Sequence, residues 1–198
     1  MEAPPRPASW EDLETVPDDQ IGEIVDGEIV VSPRPDVPHA KTASDLGVLL
    51  GGPFRMGVGG PGGWVILFEP RVRFGRDVRV PDLAGWRRER FVDVPRRGPI
   101  GIVPDWICEV LSPSTEAIDR GEKQALYGRF QVPHLWLVGP VSRTLEVFRR
   151  TPDGWLLVGV HTGEACIRAE PFDAVELDLG QIWLPGLVPD AEADSDDE

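Results

Sequence analysis

The sequence predicts an α/β domain in which a mixed β-sheet is flanked by helices. Three observations lead to that class. A β-rich run at residues 105 to 111 precedes a helical stretch and a second β-rich run at residues 134 to 139, the order of a right-handed βαβ-like crossover. A chain of 198 residues with 41% apolar and 27% charged composition suits one core and not two. The 22 glycines and 21 prolines then punctuate it with many turns.

Taken in order, Ser9 followed by Asp12 reads as a cap with an acidic first turn, which predicts a short helix over residues 10 to 15, ended before Pro17. "GEIVDGEIVVSP" places Asp26-Gly27 between two β-rich runs, a two-residue hairpin signal. From Pro38 to Leu50, Ala43, Leu46, Leu49 and Leu50 recur at helical spacing, and "GGP" stops the run, so an amphipathic helix should lie on the sheet. "GGPFRMGVGGPGGW" lacks the Gly-Lys-Ser/Thr ending of a phosphate loop and reads as a flexible connector.

Strand candidates follow at residues 63 to 74, 79 to 86, 105 to 111 and 134 to 139, and again at 144 to 150 and 154 to 161 around the turn "TPDG". Between the third and fourth, Ser114 or Thr115 can cap a helix whose start Glu116 and Asp119 favour and which Pro133 stops. The expected organisation is a flexible N-terminus at residues 1–8, the domain at 9–187 and an acidic disordered tail at 188–198.

Net charge is −14, and setting aside the six acidic residues of positions 189 to 198 still leaves −8 on the rest. That balance argues against a broad basic phosphate-coating surface, but not against an enzyme that gathers carboxylates around a cation. The N-terminus has no basic-then-apolar leader pattern and no apolar run approaches membrane-spanning length, so a cytoplasmic protein away from membranes is expected. Cys108 and Cys166 both sit in apolar stretches and read as core or strand-packing thiols, not a disulfide scaffold.

The feature that composition does not explain is an acid inside a buried strand. Glu109 lies in "DWICEVL" and Asp82 in "VRVPDLAGW". An ionised carboxylate there loses hydration worth several kcal/mol, roughly, unless a cation or several donors replace the water. Alternation puts Asp105, Ile107, Glu109 and Leu111 on one face and Trp106, Cys108 and Val110 on the other. Mg²⁺ takes one or two carboxylates plus waters and phosphate oxygens, so a cation shared by Asp82 and Glu109 accounts for both acids.

Lys123 stands about 12 Å along the helix from Thr115 at 1.5 Å per residue, with a side chain that leans back toward the helix start. It reaches Glu109 if the helix folds back over the sheet, where an ammonium group would orient a water and balance charge in a phosphoryl transfer. The plainer alternative is an exposed i, i+4 pair with Asp119. His39, just before the first long helix, reads as a cap or surface residue, and Trp86, Trp106 and Trp136 as core. Glu28 is expected on the solvent face, and Glu69 and Asp77 as ordinary strand and turn charges. Arg71, Arg73, Arg76, Arg79, Arg87, Arg88 and Arg90 are the basic concentration; on one face they would hold phosphates, on a solvated edge they would not.

"VPDL", "PDWICEVLSPST", "DRGEKQALY" and "VPHLWLVGP", with the earlier "GEIVDGEIVVSP" and "PHAK", resemble the Uma family of putative restriction endonucleases in the PD-(D/E)xK nuclease superfamily. The resemblance runs over about residues 9 to 185 and is most specific at "EVLSPST" and "D..EK..LY". It implies a restriction-endonuclease-like fold, with Asp82 and Glu109 as metal-binding acids and Glu23 as an assisting early acid. It implies Mg²⁺, with Mn²⁺ as the alternative cation, and a nucleic-acid partner, DNA before RNA. A homodimer follows by analogy with nucleases that cut both strands. Leu111 stands where the superfamily's lysine would be, which makes Lys123, on the following helix, the candidate. Gly139 in "WLVGP" stands where relatives often carry Asp, and the glycine-rich insert is unusual. The rival expectation is a non-cleaving interaction domain that retains the fold.

Overall fold

A computed structural model describes residues 6–186. Its main layer is a six-stranded sheet in the order β10-β9-β8-β7-β6-β3, formed by β3 (Trp64–Phe68), β6 (Leu83–Arg87), β7 (Trp106–Val110), β8 (His134–Gly139), β9 (Thr144–Thr151) and β10 (Gly154–Thr162). β7 and β8 run parallel, as a crossover requires, and every other neighbour in this sheet is antiparallel. The sheet is therefore mixed.

A second, antiparallel sheet has the order β2-β1-β5-β4, from β1 (Gln20–Val25), β2 (Glu28–Pro33), β4 (Val72–Phe74) and β5 (Asp77–Arg79). Asp26 and Gly27 both have positive φ, 51° and 86°, the backbone of the two-residue hairpin expected there. A small pair, β11 (Cys166–Ile167) and β12 (Leu177–Asp178), had no recognisable signal.

The pleat of β7 divides the core. Trp106, Cys108 and Val110 join Leu46 and Leu50 of helix α1 (Val37–Leu50) on one face, while Ile107 and Leu111 pack with Leu126, Tyr127 and Leu135 on the other. On the first face Phe172 sits among aromatic rings, its centroid 4.8 Å from Phe54, 4.8 Å from Trp64 and 4.9 Å from Trp106. Trp86, Trp106 and Trp136 are fully buried, as expected of core residues.

Five expectations need correction. The run at 63 to 74 is two strands in different sheets, broken where Glu69 takes a positive φ of 42° ahead of Pro70. The run at 79 to 86 likewise breaks at residues 80 to 82, where Pro81 has no N–H for a ladder. Part of the glycine-rich connector is helical: α1 continues into a π-helical turn, Gly51–Met56, because burying Phe54 against Phe172 outweighs the "GGP" stop signal. Cys166 is exposed, not core. Arg79 is 2% exposed and cannot share a phosphate-facing surface with the exposed Arg71 and Arg73.

At the N-terminus, the turn Trp10–Thr15 forms as a 3-10 helix whose Asp12 carboxylate accepts from Ser9 N at 2.7 Å. Within the stretch expected to be flexible, Ala8 N donates to Gly27 O at 2.7 Å and Arg6 pairs with Asp12, so residues 6 to 8 are tied to the domain. The acidic stretch at 188–198 and residue 187 lie outside the described residues. Among those described, no helix is long and apolar enough to cross a membrane.

Candidate active site

The break between β5 and β6 carries the chain from one sheet to the other, and it delivers Asp82. Its Oδ2 accepts the Val110 N–H at 2.7 Å and lies 3.2 Å from His39 Nε2. The β6/β7 register pairs Leu83 with Cys108, so one further step sets Asp82 alongside Glu109. Just upstream, the Val80 N–H donates to Glu23 Oε1 at 2.7 Å, which fastens this crossing segment to β1.

Glu109 is 1% exposed. Tyr127 OH donates to its Oε1, and Lys123 Nζ donates to its Oε2 at 3.2 Å. The helical segment after β7 is α2 (Glu116–Ile118), a π-helical turn (Asp119–Lys123) and α3 (Gln124–Arg129). Asp119, Lys123 and Tyr127, four residues apart, occupy one face of it and turn toward the sheet. Lys123 Nζ also lies 3.0 Å from Asp119 Oδ1, without the alignment of a hydrogen bond. Lys123 thus makes the pair with Asp119, but buried and shared with Glu109 instead of exposed.

The electrostatics follow from burial. Removal from water pushes the Glu109 carboxyl well above its ordinary range; Asp119 and Asp82 push the same way, against Lys123 and Tyr127. Burial works against the Lys123 ammonium, yet Glu109, Glu23, Asp119 and Asp82 together hold it far above its usual value. Burial lowers the Asp82-bound imidazole of His39, but the hydrogen bond and charge of Asp82 outweigh it and the net shift is upward. Glu23 Oε2 faces Arg79 NH1 at 3.5 Å, and Arg79 also binds Glu122.

These groups meet at a cleft of about 400 Å³ whose wall includes Glu23, His39, Asp82, Asp119 and Lys123, with Ser112, Ser114 and Thr115 at the start of the following turn. Glu109 stays off the wall, behind them. The four sequence candidates, Asp82, Glu109, Lys123 and Glu23, therefore come together from β1, the β5–β6 link, β7 and the π-turn. Glu28 and Glu69 remain outside this cleft, Glu28 exposed and Glu69 half-buried beside Arg34. Asp77 is buried, accepting from Asp26 N at 3.0 Å.

Sequence reading undervalued three contributors. His39 is 6% exposed, not a surface residue. Asp119 was read only as a helix-start acid and an exposed partner of Lys123, and Tyr127 only as a member of "D..EK..LY"; their spacing of four from Lys123 was the available signal.

A hard cation fits this donor set in one form and not another. Among the described residues, no group of three or more His, Cys, Asp or Glu forms a closed metal cage. Two carboxylates are what Mg²⁺ takes from protein when waters and phosphate oxygens fill its remaining positions; Asp82 stands on the cleft wall, while Glu109 lies behind it with Oε1 and Oε2 bound by Tyr127 and Lys123, so Glu109 would join a cation only in exchange for one of those partners. Asp82 Oδ1 accepts no hydrogen bond from a described residue, which leaves it open as a donor.

The family model Uma2, described as "Putative restriction endonuclease", matches residues 10–180. Among solved structures, the crystal structure of a putative nuclease belonging to DUF820 from Anabaena variabilis is similar with a TM-score of 0.69. The likeness covers 89% of this chain and 98% of that chain at 20% identity, and at that identity it speaks for the fold alone. No curated protein matches significantly.

Proposed function

The chain belongs to the Uma2 family of putative restriction endonucleases, and from that membership we propose that it is a metal-dependent endonuclease that hydrolyses phosphodiester bonds, DNA before RNA. Asp82 and Glu109 would hold Mg²⁺, or Mn²⁺ in its place. When bound, such an ion polarises a phosphoryl oxygen and acidifies a water.

The chain's own groups supply the rest. Asp82, fixed through Oδ2 by Val110 N, lines the cleft with Oδ1 free to take a cation. Lys123 orients the attacking water and offsets negative charge as the phosphoryl group reacts. Glu23 assists from the wall while holding the crossing segment in place through Val80. Ser112, Ser114 and Thr115 line the same cleft with hydroxyls suited to phosphate oxygens.

The observation that supports this reading most is the ammonium of Lys123, 3.2 Å from Glu109 and 3.0 Å from Asp119 at a cleft that also exposes Asp82. An exposed pair with Asp119 would have no use for Glu109. The rival, a non-cleaving interaction domain, draws support from the net charge of −14, which opposes polyanion binding.

Incubating purified protein with mixed DNA and RNA, with and without Mg²⁺ or Mn²⁺, separates the two. The nuclease reading expects cleavage that needs the metal and falls at least about 100-fold in Lys123→Met. Intact substrates under every condition would leave the interaction domain standing.

A further inference from the structure

The unexplained group at this cleft is His39. Imidazoles bury readily only when their nitrogens find partners, yet Nδ1 is buried with no hydrogen bond among the described residues and Nε2 has only Asp82, at 3.2 Å. We propose that His39 is a positioning residue that clamps Asp82 through Oδ2, so that Oδ1 alone is presented to the cleft. The inference rests on the metal-dependent reading above and deepens it.

For the neutral ring, the geometry decides the proton's place. With the proton on Nε2, His39 donates to the carboxylate and Nδ1 is a bare acceptor. With it on Nδ1, a buried donor would go unpaired and two acceptors would face each other at Nε2 and Oδ2. The first arrangement is the cheaper one.

The clamp is also rigidly mounted. The Asp36 carboxylate accepts from His39 N at 3.1 Å and caps α1, which fixes the backbone from which the imidazole projects. Val110 N holds the same oxygen, Oδ2, from the opposite strand at 2.7 Å. The hydrogen bond from Val110 N and the 3.2 Å contact from His39 Nε2 fall on one oxygen, which restrains the carboxylate and settles which oxygen is left open. His39 touches neither substrate nor cation in this account; it acts through Asp82.

Two measurements on the full chain test it. In calorimetric titration with Mn²⁺ alone, His39→Ala should bind about 10-fold to 100-fold more weakly than wild type. His39→Gln, whose amide N–H reaches where Nε2 does, should stay within about threefold, because the clamp is restored. Equal affinity in wild type and His39→Ala overturns the proposal, and so does a His39→Gln variant as weak as His39→Ala. Imidazole ¹⁵N NMR of the metal-free protein should find the His39 proton on Nε2 and a shifted resonance in Asp82→Asn. A neutral ring with its proton on Nδ1, or no response to Asp82→Asn, overturns the clamp whatever the metal does. Wild type that binds no Mn²⁺ sinks the metal-dependent reading separately, and the NMR result still decides the clamp.

Discussion

The Val110 N–H donates to Asp82 Oδ2 at 2.7 Å across 28 positions of sequence. This bond locks the end of the link entering β6 against the strand that carries Glu109, so two acids from separate segments reach one cleft. Both would cost stability as isolated buried charges, and the surrounding donors show how the fold offsets that cost.

Tyr127 is the first of those donors. Its hydroxyl and Glu109 Oε1 are both buried, so Tyr127→Phe leaves a carboxylate oxygen without its partner. The expected loss is about 1–3 kcal/mol in urea unfolding. An unchanged midpoint would mean that the bond does not form in solution.

Lys123 and Glu109 should show strong coupling in a double-mutant cycle. Lys123→Met strands Glu109 and Asp119, which are 1% and 2% exposed, and should cost about 3–5 kcal/mol. Adding Glu109→Gln removes one stranded charge and should recover part of that loss. Additive losses would contradict a buried pair.

Phe172 should be the costliest single truncation on its face of the core. With Phe54, Trp64 and Trp106 around it at 4.8 to 4.9 Å, Phe172→Ala opens a cavity the large rings cannot close. A loss of about 3–5 kcal/mol by denaturant unfolding is expected, and a loss below about 1 kcal/mol would show that the rings collapse onto the space.

His134 should give the protein an acid-sensitive component. Burial holds its imidazole below the ordinary 6.5, opposed by Glu170 and reinforced by Arg149 and Arg87. Because the folded value is the lower one, the unfolded chain takes up the proton first. Stability from this group is present above about 6.5 and lost as pH falls through the depressed folded value. His39, shifted upward, contributes with the opposite sign, so the comparison is wild type against His134→Gln. The variant should lose less stability on acidification; equal losses would remove His134 from the account.

Local signals carried much of this structure. Asp26-Gly27 forms its turn because positive φ is cheap for those two residues, and the β7–helix–β8 order forms because apolar period and caps agree. What period cannot convey is sheet membership. The strands around Glu69 and Pro81 read as continuous because β-propensity is indifferent to which sheet a residue joins. The site divides the same way. Glu109 was legible because an acid in an apolar strand demands compensation. His39 was not, because burial of an isolated histidine depends on a contact with Asp82, 43 positions away. Arg79 looked available for phosphate until tertiary packing enclosed it between Glu23 and Glu122.

Calorimetric titration of Mn²⁺ into wild type, Asp82→Ala and Glu109→Ala tests the central claim most directly. A cation shared by these two acids predicts saturable binding in wild type that is lost in both variants. Saturable binding that persists undiminished when either carboxylate is removed would contradict it, as would a wild-type chain that binds none.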